Sequence, residues 1–520
     1  MSTQLRSRTR KPSSLAPAAR PAAMSAVALA LSLLTGAPAA VAVPDATPDA
    51  SAGMAAATPG SDGLGDPYYP QDGNGGYDAV HYDVAIDYDP PTHKLTGKTT
   101  VTAKATQNLS AFNLDFAGPP VGSVAVNGQP AAFRTAGEHE LVVTPGAPLP
   151  NGQSFTVTVD YTGTAADTKG NGWTYTPTGG AFAAGEPHSA TTWYPLNDTP
   201  LDKATFTVRA TVPTGWEVAS NGIRTSDTPG SGRHTVTWEA KDPIIGYLTT
   251  VAIDKFTKLD QILTEKVHLQ SYFAPNAAKT KQKLEKMLPG VLNFAQDLYG
   301  AYPFESGGGI YVDTDLRFSL ETQTRPIYAP WTDMNTVVHE NAHQWWGNSV
   351  SVKQWRDVCV NECFASYTAD ILWPERMKHR NPDAIYLRAL AQAEQRDIWS
   401  IPLYDAGKGN EFTTVYSRGP LFLHALRRTI GDDVFFTAVR DFAEEHKYGN
   451  TSIPELREFF QSRTETDLTG FFDAWLNGTE RPADEYLYPG SLGNQDVQRT
   501  LDEPEAADGA DWPFGEGDHK

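Results

Sequence analysis

The chain has 520 residues, of which 40% are apolar and 11% aromatic, so it is long enough for about three globular domains. Its formal net charge is −20, and this negative charge disfavours nucleic acid as a partner because phosphate groups are repelled. Cys359 and Cys363 are its two cysteines, which excludes a fold held by many disulfides and a zinc site made of four cysteines.

The first 42 residues predict a secretory signal peptide. They contain five basic residues and no acidic residue. The apolar stretch at residues 24–34 is too short to cross a bilayer, and the small residues at positions 40 and 42 suit a cleavage site. The alternative is an uncleaved membrane anchor. We expect cleavage and secretion, and no stable membrane association afterwards, because no other long apolar segment follows.

A predicted linker covers residues 43–75, which are rich in Ala, Asp, Pro and Gly, and a β domain is predicted for residues 76–256. Apolar residues alternate with polar ones in this domain, and turn sequences such as Asn-Gly and Pro-Gly separate the alternating runs. The residues that show the alternation best are Tyr82, Val84, Ile86, Tyr88, Phe155, Val157, Val159, Tyr161, Phe206, Val208 and Ala210. This pattern predicts antiparallel sheets.

The hydrophobic period becomes helical in the second half of the chain. Apolar residues lie three and four positions apart in several segments between residues 257 and 487, and glycine ends several of these segments. Residues 488–520 are rich in Gly, Asp and Glu, which predicts a solvated acidic tail. The expected fold class is therefore multidomain α+β, with a mostly helical domain after the β domain.

A metal-binding motif, HENAH, lies in the helical domain. His339 and His343 are four residues apart, so on a helix both project from one face and can bind one zinc ion. Glu340, rotated by about 100° around the helix, can reach a water molecule at that metal. Asp333, with Thr332 before it, can cap the start of the helix, and Gly347 can stop it. The alternative is a helix with two ordinary histidines.

A catalytic zinc ion commonly has three protein ligands and an open fourth position. Glu362 is a candidate third ligand, because the eighteen residues that separate it from His343 allow a turn and the start of another helix. We expect one zinc ion per chain.

The segment from 339 to 367, HENAHQWWGNSVSVKQWRDVCVNECFASY, closely resembles the gluzincin signature of the M1 aminopeptidases. The resemblance extends through GNGGYDAVHYDV, WYPLNDTPLDKATFTV, SLETQTRPIY and VYSRGPLFLHAL. Cys363 departs from the family pattern, which has Gly after the ligand Glu, and SLETQ stands where more familiar members have GAMEN. The resemblance implies a thermolysin-like catalytic domain and zinc-dependent removal of N-terminal residues from peptides.

Three further site residues follow from the resemblance alone. Glu321 corresponds to the glutamate that contacts the free α-ammonium group of the substrate, and Glu186 to a second amine-binding position. Tyr416 corresponds to a tyrosine whose hydroxyl stabilises the oxyanion, and Arg418 takes the place of a lysine in that motif. Glu340 is then the catalytic base, and the substrates are peptides with a free N-terminus.

Two other functions share these motifs. An epoxide hydrolase similar to leukotriene A4 hydrolase uses the same zinc scaffold, and a catalytically inactive peptide-binding protein could retain the fold. An aminopeptidase assay with and without a chelator distinguishes the three.

The two cysteines lie four residues apart on a predicted helix. Their Cα atoms could be close enough for a disulfide, and an exported protein meets oxidising conditions. The side-chain directions on a helix make closure strained, so we expect two free thiols.

Overall fold

The computed structural model describes residues 56–494, except residue 394. The predicted signal peptide, the first part of the predicted linker and most of the predicted acidic tail lie outside the described residues. Among the described residues, no helix combines the length and the apolar character needed to span a membrane.

Several long strands of the N-terminal half alternate buried residues with more exposed ones, as the sequence predicts. In chain order they are β1 (Thr58–Pro59), β2 (Tyr77–Asp89), β3 (Lys94–Ala105), β4 (Leu109–Asp115), β5 (Val121–Val126), β6 (Gln129–Pro130), β7 (Ala132–Ala136), β8 (Glu140–Thr144), β9 (Ser154–Thr164), β10 (Gly172–Tyr175), β11 (Ala181–Ala184), β12 (Ala204–Pro213), β13 (Glu217–Ser220), β14 (Ile223–Pro229), β15 (Arg233–Ile244), β16 (Val251–Asp254), β17 (Thr257–Ile262) and β18 (His268–Phe273).

The later half is mostly helical, with short strands. Its elements are α1 (Lys279–Glu285), α2 (Leu288–Tyr299), β19 (Ser306–Gly307), β20 (Ile310–Tyr311), β21 (Ile327–Tyr328), α3 (Met334–Ala342), β22 (Ser351–Val352), α4 (Cys359–Tyr367), α5 (Trp373–Lys378), α6 (Pro382–Ala393), α7 (Val415–Ile430), α8 (Asp432–Glu445), β23 (Asn450–Thr451), α9 (Ile453–Ser462), α10 (Thr469–Phe472) and α11 (Asp484–Leu487). Single turns of 3-10 or π helix lie at Ala190–Thr192, Gly246–Leu248, Trp355–Asp357, Thr368–Leu372, Asp473–Asn477 and Gly490–Asn494.

A long sheet with the strand order β14-β15-β12-β2-β3-β9-β5-β6 organises the β domain. Its pairs are antiparallel except β12 and β2, which run parallel. Two smaller sheets, β1-β4-β8-β7 and β10-β11-β16-β13, complete this region. In β2 the inward residues Tyr82, Val84, Ile86 and Tyr88 are each at most 2% exposed, which confirms the predicted alternation.

Helices and the β17–β21 sheet surround the apolar core of the later half of the chain, which is separate from the core of the β domain. In that sheet β18 pairs in parallel with β20, and β20 pairs in parallel with β21. The segment after β21 leads directly into α3, and α4 and α7 pack closely on each other. The predicted fold class, a β domain followed by a mostly helical domain, is confirmed, whereas the predicted domain boundary near residue 256 stays a prediction.

The described part of the predicted linker differs from the expectation. Tyr68 is only 4% exposed, and its hydroxyl donates to Asp405 Oδ1 at 2.9 Å. Asp66 Oδ2 accepts from the backbone N–H of Trp355 at 2.8 Å, and the hydroxyl of Tyr69 donates to Glu411. Ordered structure therefore begins before Tyr77. The composition of this segment predicts a linker, but its tyrosines form hydrogen bonds with residues that are distant in sequence.

Candidate active site

Helix α3 carries the HENAH motif, and its capping explains where it begins. The side chain of Asp333 accepts a hydrogen bond from the backbone N–H of Thr336 at 2.9 Å, so Asp333 is the N-cap. The hydroxyl of Thr332 instead contacts Ser319 at 2.9 Å. Gly347, expected to stop the helix, has a φ of +110°, which favours glycine, and regular helix ends somewhat earlier, at Ala342.

The three predicted metal ligands converge. The Nε2 atoms of His339 and His343 are 3.0 Å apart, and they lie 3.3 Å and 3.5 Å from Oε2 of Glu362. Zinc bonds of about 2.1 Å in a tetrahedron separate the ligand atoms by about 3.4 Å. His343 Nδ1 lies 2.9 Å from the carbonyl oxygen of Trp346, a partner that directs Nε2 towards the other two ligands. Two imidazoles and one carboxylate therefore fit a catalytic zinc ion.

Electrostatics at this point favour a positive charge. Burial lowers the pKa of His343, but the carboxylates of Glu362 and Glu321 outweigh it and raise that pKa to about 10. Burial raises the pKa of Glu362, but His343 and His339 outweigh it and hold that pKa below its usual range. The cluster thus stabilises a cation between its ligand atoms, as a divalent metal requires.

Glu340 lies beside the three ligands. Its side chain is buried, and one of its carboxylate oxygens lies within 4.8 Å of ligand atoms of both His343 and Glu321. Burial, aided by the charges of Glu321 and Glu362, raises the pKa of Glu340 well above its ordinary value, although His343 opposes the shift. A carboxylate in this position can accept a proton from water near the metal.

Glu321 and Glu186 place two more carboxylates next to the ligand Glu362. One oxygen from each of the three residues lies within 4.8 Å of the others. The hydroxyl of Tyr247 donates to Glu321 Oε1 at 3.0 Å, and Asn348 Nδ2 donates to the backbone carbonyl of Glu321 at 2.8 Å. Oε1 of Glu186 is buried and has no hydrogen-bond partner among the described residues. These carboxylates can accept hydrogen bonds from an ammonium group.

Tyr416 reaches the same site from the first turn of α7. Its ring centroid lies 6.0 Å from that of His339. Burial and the surrounding carboxylates raise the pKa of Tyr416 well above its ordinary value, so its hydroxyl remains a hydrogen-bond donor. Arg418 instead points away and donates to the carbonyl oxygens of Ile401 at 3.1 Å and Gly478 at 2.9 Å. The structure therefore brings together all seven predicted site residues, and their chemical roles stay predictions.

The expectation of two free thiols is wrong, because the structure joins Cys359 and Cys363 in a disulfide. Their Cα atoms are 4.8 Å apart, within the range that a disulfide tolerates. Cys359 is the first residue of α4 and follows a tight 3-10 turn at Trp355–Asp357. Both cysteines lie within α4, about one helical turn apart.

Sequence reasoning missed the residues that hold Glu321. Tyr247 contacts Glu321 from 74 residues away and has no motif of its own. Gln344 and Asn348 follow the zinc motif in the sequence, and their side chains donate to the backbone carbonyl of Glu321. The position of these two residues just after HENAH in the sequence suggests a place near the site. It does not reveal that they bind the backbone of Glu321.

Comparison with known proteins gives the same family for both halves of the chain. The pattern described as the Peptidase M1 N-terminal domain matches residues 78–248, and the Peptidase family M1 domain matches residues 308–475. Together these two matches cover more than half of the chain.

Two relatives are named aminopeptidases. Aminopeptidase N of Streptomyces lividans is 24% identical over 304 residues, which cover 53% of this chain and 35% of that protein. Glutamyl aminopeptidase of Bos taurus is 22% identical over 347 residues, which cover 62% of this chain and 36% of that protein. The chain thus spans about a third of the length of each of these curated relatives.

Similar solved structures extend over nearly the whole of a shorter protein. The M1 zinc metallopeptidase of Deinococcus radiodurans aligns with a TM-score of 0.75 and 27% identity, covering 81% of this chain and 98% of that one. A mutant of that peptidase was also solved with a Tyr-Ser-Ala substrate, at the same TM-score. With this fold, the convergent His339, His343 and Glu362 side chains and matches to both M1 domains, the chain belongs to peptidase family M1.

Proposed function

We propose that this protein is a zinc-dependent aminopeptidase that removes the N-terminal residue from peptides. The observation that carries the proposal is the position of Glu186 and Glu321 beside Glu362, a ligand of the zinc site. Two carboxylates next to the reaction centre suit a substrate with a free α-ammonium group. An endopeptidase has no use for such a pair, because an internal peptide bond presents no charge there.

In the proposed reaction, His339, His343 and Glu362 hold the zinc ion. Zinc there supplies positive charge that polarises the scissile carbonyl and makes water more acidic. Glu340 accepts the proton of the attacking water and later gives it to the leaving amine. The hydroxyl of Tyr416 donates a hydrogen bond to the carbonyl oxygen as negative charge develops on it.

Glu321 and Glu186 set the position of the peptide. Charge-assisted hydrogen bonds to an ammonium group contribute about 1.5–3 kcal/mol each, so the first peptide bond is placed at the metal and later bonds are not. Tyr247 fixes the orientation of Glu321 in this role. The named relatives support this proposal: two are aminopeptidases, and a structural neighbour was solved with a tripeptide.

Export completes the proposal. The basic, then apolar, then small-residue pattern of the first 42 residues supports a cleaved signal peptide and secretion. N-terminal sequencing of the protein recovered from culture medium tests it. A start at about residue 43 is expected, and a protein retained in the cell with its original N-terminus would contradict it.

The decisive experiment compares leucine p-nitroanilide with its N-acetyl derivative. Acetylation removes the ammonium charge and leaves buried carboxylates without a partner, so we expect kcat/KM to fall at least about a thousandfold. Glu321→Ala should lower kcat/KM for the substrate with a free amine. It should also reduce the ratio of kcat/KM between the free and the acetylated substrate. A chelator should abolish both rates.

Three results would contradict the proposal. Equal wild-type rates on the two substrates would indicate an endopeptidase, and activity that persists after removal of all metal would exclude zinc catalysis. A protein that binds peptides without cleaving them would be the inactive binding module.

A further inference from the structure

A second cluster of metal-ligating side chains lies in the β domain, apart from the ligands of the active site. Strands β4 and β8 are antiparallel, and their register places Asp115 directly opposite Glu140. Asp115 is 0% exposed and Glu140 is 7% exposed. Two like charges on facing positions of a buried strand pair are destabilising unless a positive group lies between them or a carboxyl group takes up a proton.

The carboxylate groups of this pair have few hydrogen-bond donors. Oδ1 of Asp115 is buried and has no hydrogen-bond partner in the described part of the chain. Both carboxylate oxygens of Glu140 are also buried, and burial raises the pKa of Glu140 to about 7, although the nearby side chain of Asn113 opposes the shift. The other oxygen of Asp115 accepts from the backbone N–H of Asp198 at 2.7 Å. Within the same described residues, no lysine or arginine forms an ion pair with Asp115 or Glu140. Buried carboxylates of this kind are normally paired or bind a metal.

His139 supplies a nitrogen ligand at the same point. Its Nε2 lies 3.5 Å from Oδ1 of Asp115 and 3.6 Å from Oδ1 of Asp72. Ligand atoms of Asp115, His139 and Glu140 all lie within 4.8 Å of one another. The 3.5 Å between His139 and Asp115 is similar to the 3.3 Å and 3.5 Å between the histidine nitrogens and Glu362 in the active site, and it is close to the value of about 3.4 Å expected for a tetrahedral zinc site.

We propose that Asp115, His139 and Glu140 bind a second divalent cation, Zn²⁺ or a similar transition metal, in addition to the catalytic ion. An imidazole with carboxylates suits Zn²⁺ or a similar transition metal, whereas Ca²⁺ prefers six to eight oxygen ligands. His139 has a side chain that is 21% exposed, so an ion can enter from solvent. This site is structural and does not depend on the proposed peptidase activity.

The test begins with the metal content of the full-length wild-type protein. The protein is stripped with a chelator, dialysed against Zn²⁺ and then against metal-free buffer, and its zinc is counted by mass spectrometry. Two zinc ions per chain are expected. A single ion per chain overturns the proposal, and so does a second site filled by Ca²⁺ in preference to Zn²⁺.

Variants then assign the second ion to its ligands. His139→Ala removes a partly exposed ligand, and Glu140→Gln keeps the side-chain volume, so both should fold. Each should weaken binding of the second zinc at least about tenfold while the catalytic zinc stays bound. Glu138→Gln, an exposed neighbour on the same hairpin, is the matched control and should retain both ions. Equal zinc affinity in all three variants overturns the assignment.

Discussion

At the scale of single residues, the proposed water-activating role of Glu340 can be tested separately from zinc binding. Glu340→Gln keeps the volume of the side chain and removes the base. We expect kcat to fall by about 10²–10⁴-fold with the zinc content unchanged, because general-base catalysis contributes about that much. Steady-state kinetics with metal analysis on the same sample measures both quantities. Near-native turnover would refute the role of Glu340.

Tyr247 tests whether Glu321 must be held in place. Tyr247→Phe removes the hydroxyl that donates to Glu321 at 3.0 Å and leaves the ring in position. A hydrogen bond to a charged group contributes about 1.5–3 kcal/mol, so we expect KM for a free dipeptide to rise about tenfold or more, with a smaller change in kcat.

The matched control for Tyr247 is Tyr386→Phe. Tyr386 is also fully buried, and its hydroxyl donates to the carbonyl oxygen of Leu487 at 2.7 Å, in the helical core. This variant should lose some stability and keep its KM. If the two variants have the same KM, Tyr247 does not act through Glu321.

At the scale of elements, the close approach of α4 and α7 positions two site residues at once. Glu362 is on α4 and Tyr416 begins α7. A Cβ atom at Gly419 would lie 2.6 Å from Sγ and 2.9 Å from Cβ of Cys363. Glycine is therefore required where the two helices meet at the disulfide.

Gly419→Ala should destabilise the protein. The added methyl group forces the helices apart, which costs about 1–3 kcal/mol in the free energy of unfolding, and we expect kcat to fall because Tyr416 moves relative to Glu362. Urea unfolding monitored by circular dichroism measures the change. Gly290→Ala is the control: it lies within α2, and a Cβ there meets nothing within 4 Å. That variant should gain about 0.5–1 kcal/mol, and equal losses in the two variants would contradict the explanation.

At the scale of the whole molecule, a buried histidine in the helical core makes the free energy of unfolding depend on pH. His424 is fully buried, and its Nε2 lies 3.0 Å from Oδ1 of Asp383. Burial lowers the pKa of His424 from 6.5 to about 4, although Asp383 opposes the shift and Arg428 adds to it. The folded protein therefore binds fewer protons than the unfolded chain between these two pH values.

The contribution of buried, neutral His424 to the free energy of unfolding is fully present above pH 6.5. It is lost as the pH falls towards about 4. The loss should amount to about 3 kcal/mol in this window. His424→Gln removes this component, so its free energy of unfolding should fall less steeply than that of the wild type over the same range. His268→Gln, at an exposed position, should keep the wild-type slope. Identical slopes for wild type and His424→Gln would contradict the prediction.

The sequence by itself determined the features that depend on local periodicity and on fixed spacing. The alternation of apolar and polar residues along β2 follows from the two-residue repeat of a strand. It matches the alternation of burial in the structure because one face of the sheet is buried. The four-residue spacing of His339 and His343 places both on one helix face whatever surrounds the helix. The N-cap at Asp333 is equally local. These features could be predicted because each depends on residues within one turn or one strand.

Tertiary structure decided what depends on partners distant in sequence. The contact of Tyr247 with Glu321 and the packing of Tyr68 before β2 join positions that share no periodic pattern. The disulfide of Cys359 and Cys363 depended on the approach of their Cα atoms to 4.8 Å, and the pairing of Asp115 with Glu140 depended on the register of β4 and β8. Burial, register and close approach are properties of the assembled fold, because each is set by the summed packing of many residues rather than by any one segment.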